Sequence, residues 1–367
     1  MTGRRLKVLH VVRQYHPSVG GLEAYVHELA SRQAKTCDVD ILTLNRVFGD
    51  VGRLPAREKI DGISVVRIPF LGYRQLFLPF LEPSLLRGYD AIHIHCADQL
   101  LDWIALIGRF RNLNLFMTTH GLFFHTESMA MLKRLYLRTV TKMSLGRMRG
   151  IFAVSANDAR TLENVGVDSI VLLNPIVPLG DFICEGRDLL YVGRLSANKR
   201  VELLIPFLAE LLGEFPDLKL HIVGSDQEKL WPQISQSIDR EGLADHIRFH
   251  GYLEAEDLRS IARTCGFTVS ASRYEGFGLT VIEGMSIGLL PVMHCNDAFR
   301  ETFERSQCGL LTSFDDPVQA ARAFAAWQAT VTRKERERAH RFAHRQSWDA
   351  VASTYLDHYE AVASPRS

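Results

Sequence analysis

Short β-branched and aliphatic runs alternate with longer helical patterns along nearly the whole chain. Each run is followed by enough residues for a helix, and this alternation predicts parallel sheets with crossover helices. Because 367 residues exceed what one hydrophobic core usually holds, two doubly wound α/β domains are expected, meeting near the prolines at 175 and 178. The predicted strands are 7–12, 39–44, 64–68, 91–95, 115–119 and 150–154 in the first half, and 189–192, 219–223, 247–250, 267–270 and 290–293 in the second.

Two glutamates stand close to the end of strand 267–270, where ligands bind in sheets of this kind. Glu275 and Glu283 have seven residues between them, including Gly276-Phe277-Gly278 and Thr280. A glycine-rich loop that opens a helix presents free N–H groups to phosphate, and flanking carboxylates can hold the hydroxyls of a nucleotide-sugar. A capping box of Thr280 and Glu283 is the structural alternative for Glu283, but it leaves Glu275 and both glycines unexplained.

Two basic residues follow the first strand of the second half. Gly193 permits a sharp turn, and Arg194 and Lys199 come after it at positions that can converge on one anion. Solvated surface charges are the alternative interpretation. Gly224, after the next strand, fits either close approach to a nucleotide or a tight turn, and Tyr252 is a candidate wall for the nucleobase.

Composition and charge narrow the class of protein. The hydrophobic fraction is 47% and the charged fraction 23%, as in soluble proteins, and no apolar run approaches the roughly 20 residues that span a bilayer. The six cysteines are scattered, which indicates reduced thiols in a cytoplasmic protein. Residues 1–178 carry 22 Lys/Arg and 15 Asp/Glu (+7) and the remainder 21 and 27 (−6), so the two halves are expected to meet different partners.

These motifs, in this order, resemble glycosyltransferase family 4, whose members are retaining enzymes with two Rossmann-like domains facing a cleft. The resemblance extends over essentially the whole chain, and the glutamate pair with the basic pair ahead of it is its most specific part. It implies that Arg194 and Lys199 bind the donor diphosphate. It also implies that Glu275 contacts the donor sugar and Glu283 the ribose. It further implies that backbone amides from Phe277 to Thr280 approach the phosphate and sugar. The candidate donor contacts are then Gly193, Gly224, Tyr252, Gly276, Phe277, Gly278, Leu279 and Thr280.

The resemblance also implies a domain arrangement. Residues 1–176 would bind the acceptor, residues 177–346 would bind the nucleotide-sugar, and a helix in 347–367 would pack back on the first domain. Arg200, where the family often has glycine, and the segment 291–296, where relatives have smaller residues, depart from the family pattern. Both departures bear on local loop shape.

The first half offers fewer candidates. Gly20-Gly21 precedes a helical pattern and so opens a second helix. In the resembling family this double glycine lies beside the donor phosphates and the acceptor. His120 follows strand 115–119 and matches a family position that touches the sugar or positions the reacting carbon, although a lone histidine is more often structural. His93 and His95 alternate with isoleucines on one strand and are not expected to be ligands. Asp38-Val-Asp40 comes before a strand, at the wrong end for a site, and no metal is expected.

A basic stretch in the first half suggests a membrane surface. Residues 128–156 contain no acid, and Arg134, Arg138 and Lys142 are spaced by four, with Lys133 beside them. A neighbouring apolar stripe would make this an amphipathic helix suited to an anionic bilayer. The alternative is a domain helix whose apolar stripe faces its own sheet. Nucleic acid is not an expected partner, since no aromatic interleaving accompanies the stripe.

The sequence therefore predicts a metal-independent retaining glycosyltransferase without a cofactor, peripheral on the inner face of the cytoplasmic membrane. Residues 10–23 are most similar to mannosyltransferases of xanthan- or acetan-like exopolysaccharide assembly, which use GDP-mannose and extend a cellobiosyl lipid diphosphate by an α-1,3 link. A UDP-sugar transferase of lipopolysaccharide core or another glycan is the alternative. A nucleotide-sugar 2-epimerase of the same fold, or a protein that only binds and scaffolds partners, is more distant.

Overall fold

A computed structural model describes residues 4–18, 20–73, 76–120, 136–183 and 186–363, without the side chains of 137 and 138. The chain divides into two compact units. The first comprises Met1–Asn174 and Trp348–Ser367, and the second comprises Pro175–Ser347. The predicted candidates at Lys133 and Arg134 lie outside the described residues, as does the side chain of Arg138.

The first unit is built on an eight-stranded sheet. Its strands and a separate hairpin are β1 (Lys7–Val11), β2 (Asp38–Leu44), β3 (Arg57–Ile60), β4 (Ile63–Ile68), the hairpin β5 (Phe70–Tyr73) and β6 (Leu76–Pro79), β7 (Ala91–His95), β8 (Leu115–Thr118), β9 (Gly150–Ala153) and β10 (Ile170–Val171). The sheet order is β10-β9-β8-β7-β1-β2-β4-β3, and only the β3–β4 pair is antiparallel.

The helices of the first unit cover both faces of this sheet. They are α1 (Gly21–Gln33), α2 (Gln99–Gly108), α3 (Lys142–Leu145) after a π-helical turn at Leu137–Thr141, α4 (Ala156–Glu163) and the last helix of the chain, Trp348–Ala363. That last helix buries Tyr355 and Tyr359 in one cluster with Tyr25 and Leu29 of α1. Burial of these aromatic rings fastens the end of the chain to the first unit.

The second unit has an all-parallel sheet of six strands. The strands are β11 (Asp188–Val192), β12 (Leu220–Val223), β13 (Ile247–Phe249), β14 (Cys265–Ser270), β15 (Leu290–His294) and β16 (Leu310–Thr312), in the order β13-β12-β11-β14-β15-β16. The helices are α5 (Leu204–Leu211), α6 (Trp231–Arg240), α7 (Ala255–Ala262), α8 (Leu279–Met285), α9 (Asp297–Ser306), α10 (Pro317–Gln328) and α11 (Arg333–His344). The last helix of the chain, Trp348–Ala363, is α12 and belongs to the first unit.

The apolar runs that predicted strands are buried on both faces, which is why they read as nearly continuous hydrophobic segments. All predicted strands are present, with bounds shifted by one or two residues at most. The strands missed were β3, β5, β6, β10 and β16, which are short, lie at sheet edges or form the separate hairpin. Asp38 and Asp40 belong to the first three residues of β2 rather than preceding it, so they lie at the amino end of the strand as expected, and Asp40 accepts a hydrogen bond of 2.7 Å from the Tyr89 hydroxyl.

Candidate functional site

In the second unit, two loops at the carboxyl ends of neighbouring strands are joined side chain to side chain. Lys199, after β11, has its Nζ 2.5 Å from Oε1 of Glu275, after β14. The Asn198 amide donates to the Tyr274 carbonyl at 2.8 Å. These contacts join positions 76 apart in the sequence, and they bring together two of the residues singled out from their motifs. The pair is mostly buried, with 22% of the Lys199 side chain and 13% of the Glu275 side chain exposed.

Arg194 begins the same loop and is exposed. Within the described part of the chain, its guanidinium has no ion-pair or hydrogen-bond partner, and its carbonyl accepts from the Tyr191 hydroxyl at 3.0 Å. A delocalised cation without an internal partner is available to an incoming anion.

Gly224 supports this loop from the end of β12. Its φ is +148°, and an added Cβ would lie 1.9 Å from the Gly193 carbonyl oxygen. Gly193 has a tight environment of its own, because a Cβ there would lie 2.9 Å from the Tyr191 hydroxyl. The structure therefore gives Gly224 a packing reason: it lets two backbone segments meet at the strand ends.

The glycine-rich loop opens α8 without any side-chain cap. Gly278 is the residue before the helix, with φ +67°, and a Cβ there would lie 2.5 Å from the Phe299 ring. Gly276 is exposed, and a Cβ there would meet nothing within 4 Å among the described residues. Packing against Phe299 thus explains why residue 278 is a glycine. At Gly276 no such contact exists among the described residues, and the space beside it is open.

The capping-box alternative for Glu283 is wrong. Helix α8 begins at Leu279, so Thr280 lies inside the helix and is not its cap. The Glu283 carboxylate has no hydrogen-bond or ion-pair partner in the described residues, and burial raises its pKa to about 7. A half-buried carboxylate without a partner is costly to the fold, and its oxygens are free to accept a hydrogen bond from a ligand.

Two residues that hold these loops were missed or misjudged from sequence. Arg200 adopts the left-handed backbone conformation, φ +50°, which explains a family preference for glycine at this position. Its buried guanidinium donates to the Ala271 carbonyl at 2.9 Å and pairs with Asp315 at 2.8 Å. Asn296 caps α9 and donates to the Ser272 carbonyl at 2.9 Å, which anchors the Glu275 loop. Arg200, which departs from the family pattern, therefore joins the loop after β11 to the segments that follow β14 and β16.

The aromatic and apolar donor candidates vary in exposure. Tyr252 is 71% exposed, so in this structure its ring is not packed against the unit. Phe277, Leu279 and Thr280 are partly buried around the start of α8.

In the first unit, His120 contacts the helix that begins at the paired glycines. Helix α1 begins at Gly21 after the extended Gly20, and a Cβ on Gly21 would meet nothing within 4 Å among the described residues. One turn later, the Tyr25 ring packs edge-on against the ring of His120, with centroids 4.4 Å apart. His120 follows β8 with φ +51° and is partly buried. The start of α1 and His120 therefore belong to one local site.

His120 is the outer member of a buried hydrogen-bonded chain of side chains. Its Nε2 lies 3.0 Å from His95 Nδ1, and His95 Nε2 lies 3.0 Å from His10 Nδ1. The chain ends where His10 Nε2 meets the Gln33 amide oxygen at 2.8 Å. Burial lowers the pKa of His10 to about 4 and that of His120 to about 3, and holds the pKa of His95 well below its usual value. This series of hydrogen-bonded histidines was not predicted from the sequence. The alternation of His93 and His95 with isoleucines was the one sign of it in the sequence.

Three of the first unit's histidines are close enough for a metal ion. The nearest ring nitrogens of His10, His93 and His95 all lie within 4.8 Å of one another. Each of their ring nitrogens already has a hydrogen-bond partner, since His93 contacts Thr118 at 2.8 Å and the Tyr359 hydroxyl. Metal binding would have to break these bonds, so the donor set fits a hydrogen-bonded network better than a metal centre.

The hairpin of the first unit turns one apolar face outward. Phe70 and Phe77 are buried against α2, while the alternate positions are exposed. The exposed positions face each other in cross-strand pairs, Leu71 with Leu78 and Tyr73 with Leu76, and the last two are 67% and 75% exposed. Adjacent exposed pairs of this size form an apolar patch of the kind that marks interaction surfaces.

The described end of the predicted amphipathic helix is also exposed. Val140 and Met143 are 43% and 70% exposed, and Lys142 beside them is exposed as well. The π-helical turn interrupts the four-residue spacing on which the basic stripe was predicted. Within the described part of the chain, none of the helices combines the length and the apolar character that crossing a bilayer requires.

Comparison with known proteins adds a set of relatives. The profile described as Glycosyltransferase Family 4 matches residues 19–179, and that described as Glycosyl transferases group 1 matches residues 184–346. The GDP-mannose:cellobiosyl-diphosphopolyprenol alpha-mannosyltransferase of Xanthomonas oryzae pv. oryzae is 33% identical over 98% of both chains. A protein of the same name from Komagataeibacter xylinus is 30% identical over 97% of this chain and 93% of its own.

A solved structure matches the fold of the whole chain. A glycosyltransferase from Rickettsia africae superimposes with a TM-score of 0.69 at 17% identity, covering 99% of this chain and 100% of its own. At that identity the match concerns the fold, and it agrees with the two doubly wound sheets described above.

Proposed function

The chain belongs to glycosyltransferase family 4, and we propose that it transfers mannose from GDP-mannose, with retention, to cellobiose carried on polyprenol diphosphate. The names of its relatives describe this donor and acceptor. The α-1,3 linkage and a role in exopolysaccharide synthesis belong to the same proposal. The observation that carries it is the Lys199–Glu275 pair at the strand ends of a chain 33% identical to such an enzyme over nearly its whole length.

The donor diphosphate is assigned to the second unit. Arg194 supplies an unpaired guanidinium and Lys199 an ammonium, and both would act on the charge that grows as the glycosidic bond breaks. Backbone N–H groups at the start of α8 would bind phosphate oxygens, and open space at Gly276 lets the donor approach.

The sugar and ribose are assigned to the two glutamates. Glu275, held by Lys199, would accept hydrogen bonds from the hexose hydroxyls. Glu283, which lacks an internal partner among the described residues, would accept from the ribose. No side chain is assigned as a nucleophile or base, and the departing phosphate would take the acceptor's proton on the same face. The proposal includes no metal and no cofactor.

The experiment is incubation of the protein with GDP-, UDP- and ADP-sugars and a synthetic cellobiosyl diphospholipid, followed by mass analysis. The expected product is the lipid plus one hexose from GDP-mannose alone, sensitive to α-mannosidase. Transfer from a UDP-sugar would replace the donor assignment. An epimerised nucleotide-sugar without acceptor consumption would replace the reaction itself.

We also propose that the first unit binds an anionic membrane through two surfaces. These are the exposed face of the β5–β6 hairpin and the exposed residues Val140, Lys142 and Met143. A polyprenol-linked acceptor keeps its reacting sugar near a bilayer. The hairpin offers Leu71, Tyr73, Leu76 and Leu78 for shallow insertion, while the +7 charge of residues 1–178 matches anionic headgroups.

The membrane proposal is tested by sedimentation with vesicles containing anionic lipid. Changing Leu76 and Leu78 together to Asp should lower binding by about tenfold or more, because two exposed apolar side chains no longer enter the interface. The matched control is Val318→Asp, an exposed valine of the second unit. Equal binding by the hairpin variant and the wild type would remove the hairpin from the membrane contact.

A further inference from the structure

Four side chains of the first unit form one hydrogen-bonded line from the end of α1 to His120. Gln33, His10 and His95 are all 0% or 1% exposed, and each link is a hydrogen bond of 2.8 to 3.0 Å. The residues come from α1, β1, β7 and the loop after β8, and the pairing of these parallel strands sets their rings side by side. The Nδ1 atom of His120 has no hydrogen-bond partner among the described residues.

The chemistry of neutral imidazole determines which nitrogen donates and which accepts in each of these hydrogen bonds. A neutral ring has one N–H and one lone pair, so each ring that donates on one side must accept on the other. Burial keeps the pKa values of these rings low, and they are neutral at pH 7. The Gln33 amide is oriented with its oxygen toward His10, and this oxygen can only accept, so His10 donates to it from Nε2. His10 Nδ1 then accepts from His95 Nε2, and His95 Nδ1 accepts from His120 Nε2.

We propose that Gln33, His10 and His95 are positioning residues that hold His120 as the Nε2–H tautomer, so that its Nδ1 lone pair accepts a hydrogen bond from a sugar hydroxyl. The sugar in this statement rests on the proposed function, but the tautomer does not. Gln33, His10 and His95 come from three elements, and together they fix which nitrogen of His120 carries the lone pair. The Tyr25 ring packed on His120 restricts the rotation of the His120 ring. The site thus favours a hydroxyl over a group that can only accept.

The tautomer can be read directly from the wild-type protein. Long-range nitrogen–proton spectra of histidine-labelled protein, assigned with single variants, report which ring nitrogen carries the proton. We expect the Nε2–H form at His10, His95 and His120 at pH 7. An Nδ1–H form or an imidazolium at His120 overturns the proposal, whatever the enzyme's substrate proves to be.

Two variants of His95 separate positioning from packing. In His95→Asn the side-chain oxygen takes the place of Nδ1 and still accepts from His120, whereas His95→Gln keeps the polar atom toward His10 and drops that acceptor. We expect His95→Gln to lower kcat/KM by about tenfold relative to His95→Asn, the worth of one ordinary hydrogen bond. Equal kcat/KM in the two variants would refute the positioning role.

His93 provides the control for stability. It is as buried as His95 and stacks on it at 4.4 Å, but its hydrogen bonds go to Thr118 and Tyr359. His93→Gln should lower the melting temperature as the His95 variants do and keep kcat/KM near that of the wild type. A tenfold loss in this control would mean that general loosening explains the His95 result and would overturn the proposal.

The hydroxyl itself is identified with deoxyfluoro sugars, in donor and in acceptor. Fluorine cannot donate, so one position should lose about tenfold in kcat/KM with the wild type and show no loss with His120→Ala. Loss at no position would contradict a lone pair facing the substrate. Absence of any glycosyl transfer would instead count against the proposed function and leave the spectroscopic result standing.

Discussion

Replacing Lys199 with methionine should damage both the fold and the reaction, by separable amounts. The Lys199–Glu275 pair lies between a buried and an exposed ion pair, with 22% and 13% of the side chains exposed. Losing one partner should therefore lower the free energy of unfolding by about 2 kcal/mol, between the limits for buried and exposed pairs. If Lys199 also stabilises the leaving diphosphate, kcat should fall by about 10²- to 10³-fold, the usual effect of removing one charge-stabilising group.

A double-mutant cycle with Glu275→Gln distinguishes the two roles of Lys199. Initial rates are measured at saturating donor by the release of nucleoside diphosphate, and stability is measured by urea unfolding. In the Glu275→Gln background, Lys199→Met should still lower kcat by at least about tenfold, since the diphosphate contact is independent of the glutamate. If Lys199→Met has no effect on kcat in that background, Lys199 only positions Glu275 and the diphosphate role is refuted.

Arg194→Ala should lower kcat by a similar 10²- to 10³-fold with unfolding unchanged, because its guanidinium has no partner within the described fold; Arg240→Ala, an exposed arginine of α6, is the control. Equal kcat in the two variants would remove Arg194 from the diphosphate site. Glu283 accepts hydroxyl hydrogen bonds more strongly when ionised, and its pKa is raised to about 7. Donor affinity should therefore weaken as pH falls below about 7 and level off above it. Glu283→Gln should abolish this dependence in a titration of donor binding between pH 5.5 and 8.5, and an unchanged pH profile in that variant would assign the titration to another group. The same raised pKa means that ionisation of Glu283 opposes folding, so wild-type stability should decline relative to Glu283→Gln as pH rises from 4.5 to about 7 and level off above that.

Most candidate residues of the second unit's proposed site could be named from the sequence because their signals are local. Gly276-Phe277-Gly278 and the flanking glutamates lie in one short segment, and Arg194 and Lys199 follow a single strand, so type and spacing were enough to name them. Where a residue fits either a structural or a ligand-binding role, the spacing of residues in the sequence could not decide between the two. The helix start at Leu279 removed the capping role of Glu283, and the contact with Gly193 gave Gly224 a packing role. Both outcomes depend on where the helix begins and which backbone lies opposite.

The first unit was harder to interpret because its informative contacts run between strands. His10, His95 and His120 are separated in sequence by a helix or more, and only the sheet order β8-β7-β1 sets them in line. The exposed face of the hairpin was also hidden, since an apolar alternation looks the same whether its outer side meets solvent, a membrane or another element.

The sequence by itself determined the two doubly wound sheets and the family, and it named the candidate residues of the donor site. It could do so because a buried parallel strand requires a continuous apolar run, and a phosphate-binding loop requires glycine and charge at short spacing. Only the tertiary structure decided which of these residues touch. The ion pair across 76 positions, the contacts of Arg200 and the directed line of histidines depend on strand order and side-chain direction, which no local pattern encodes.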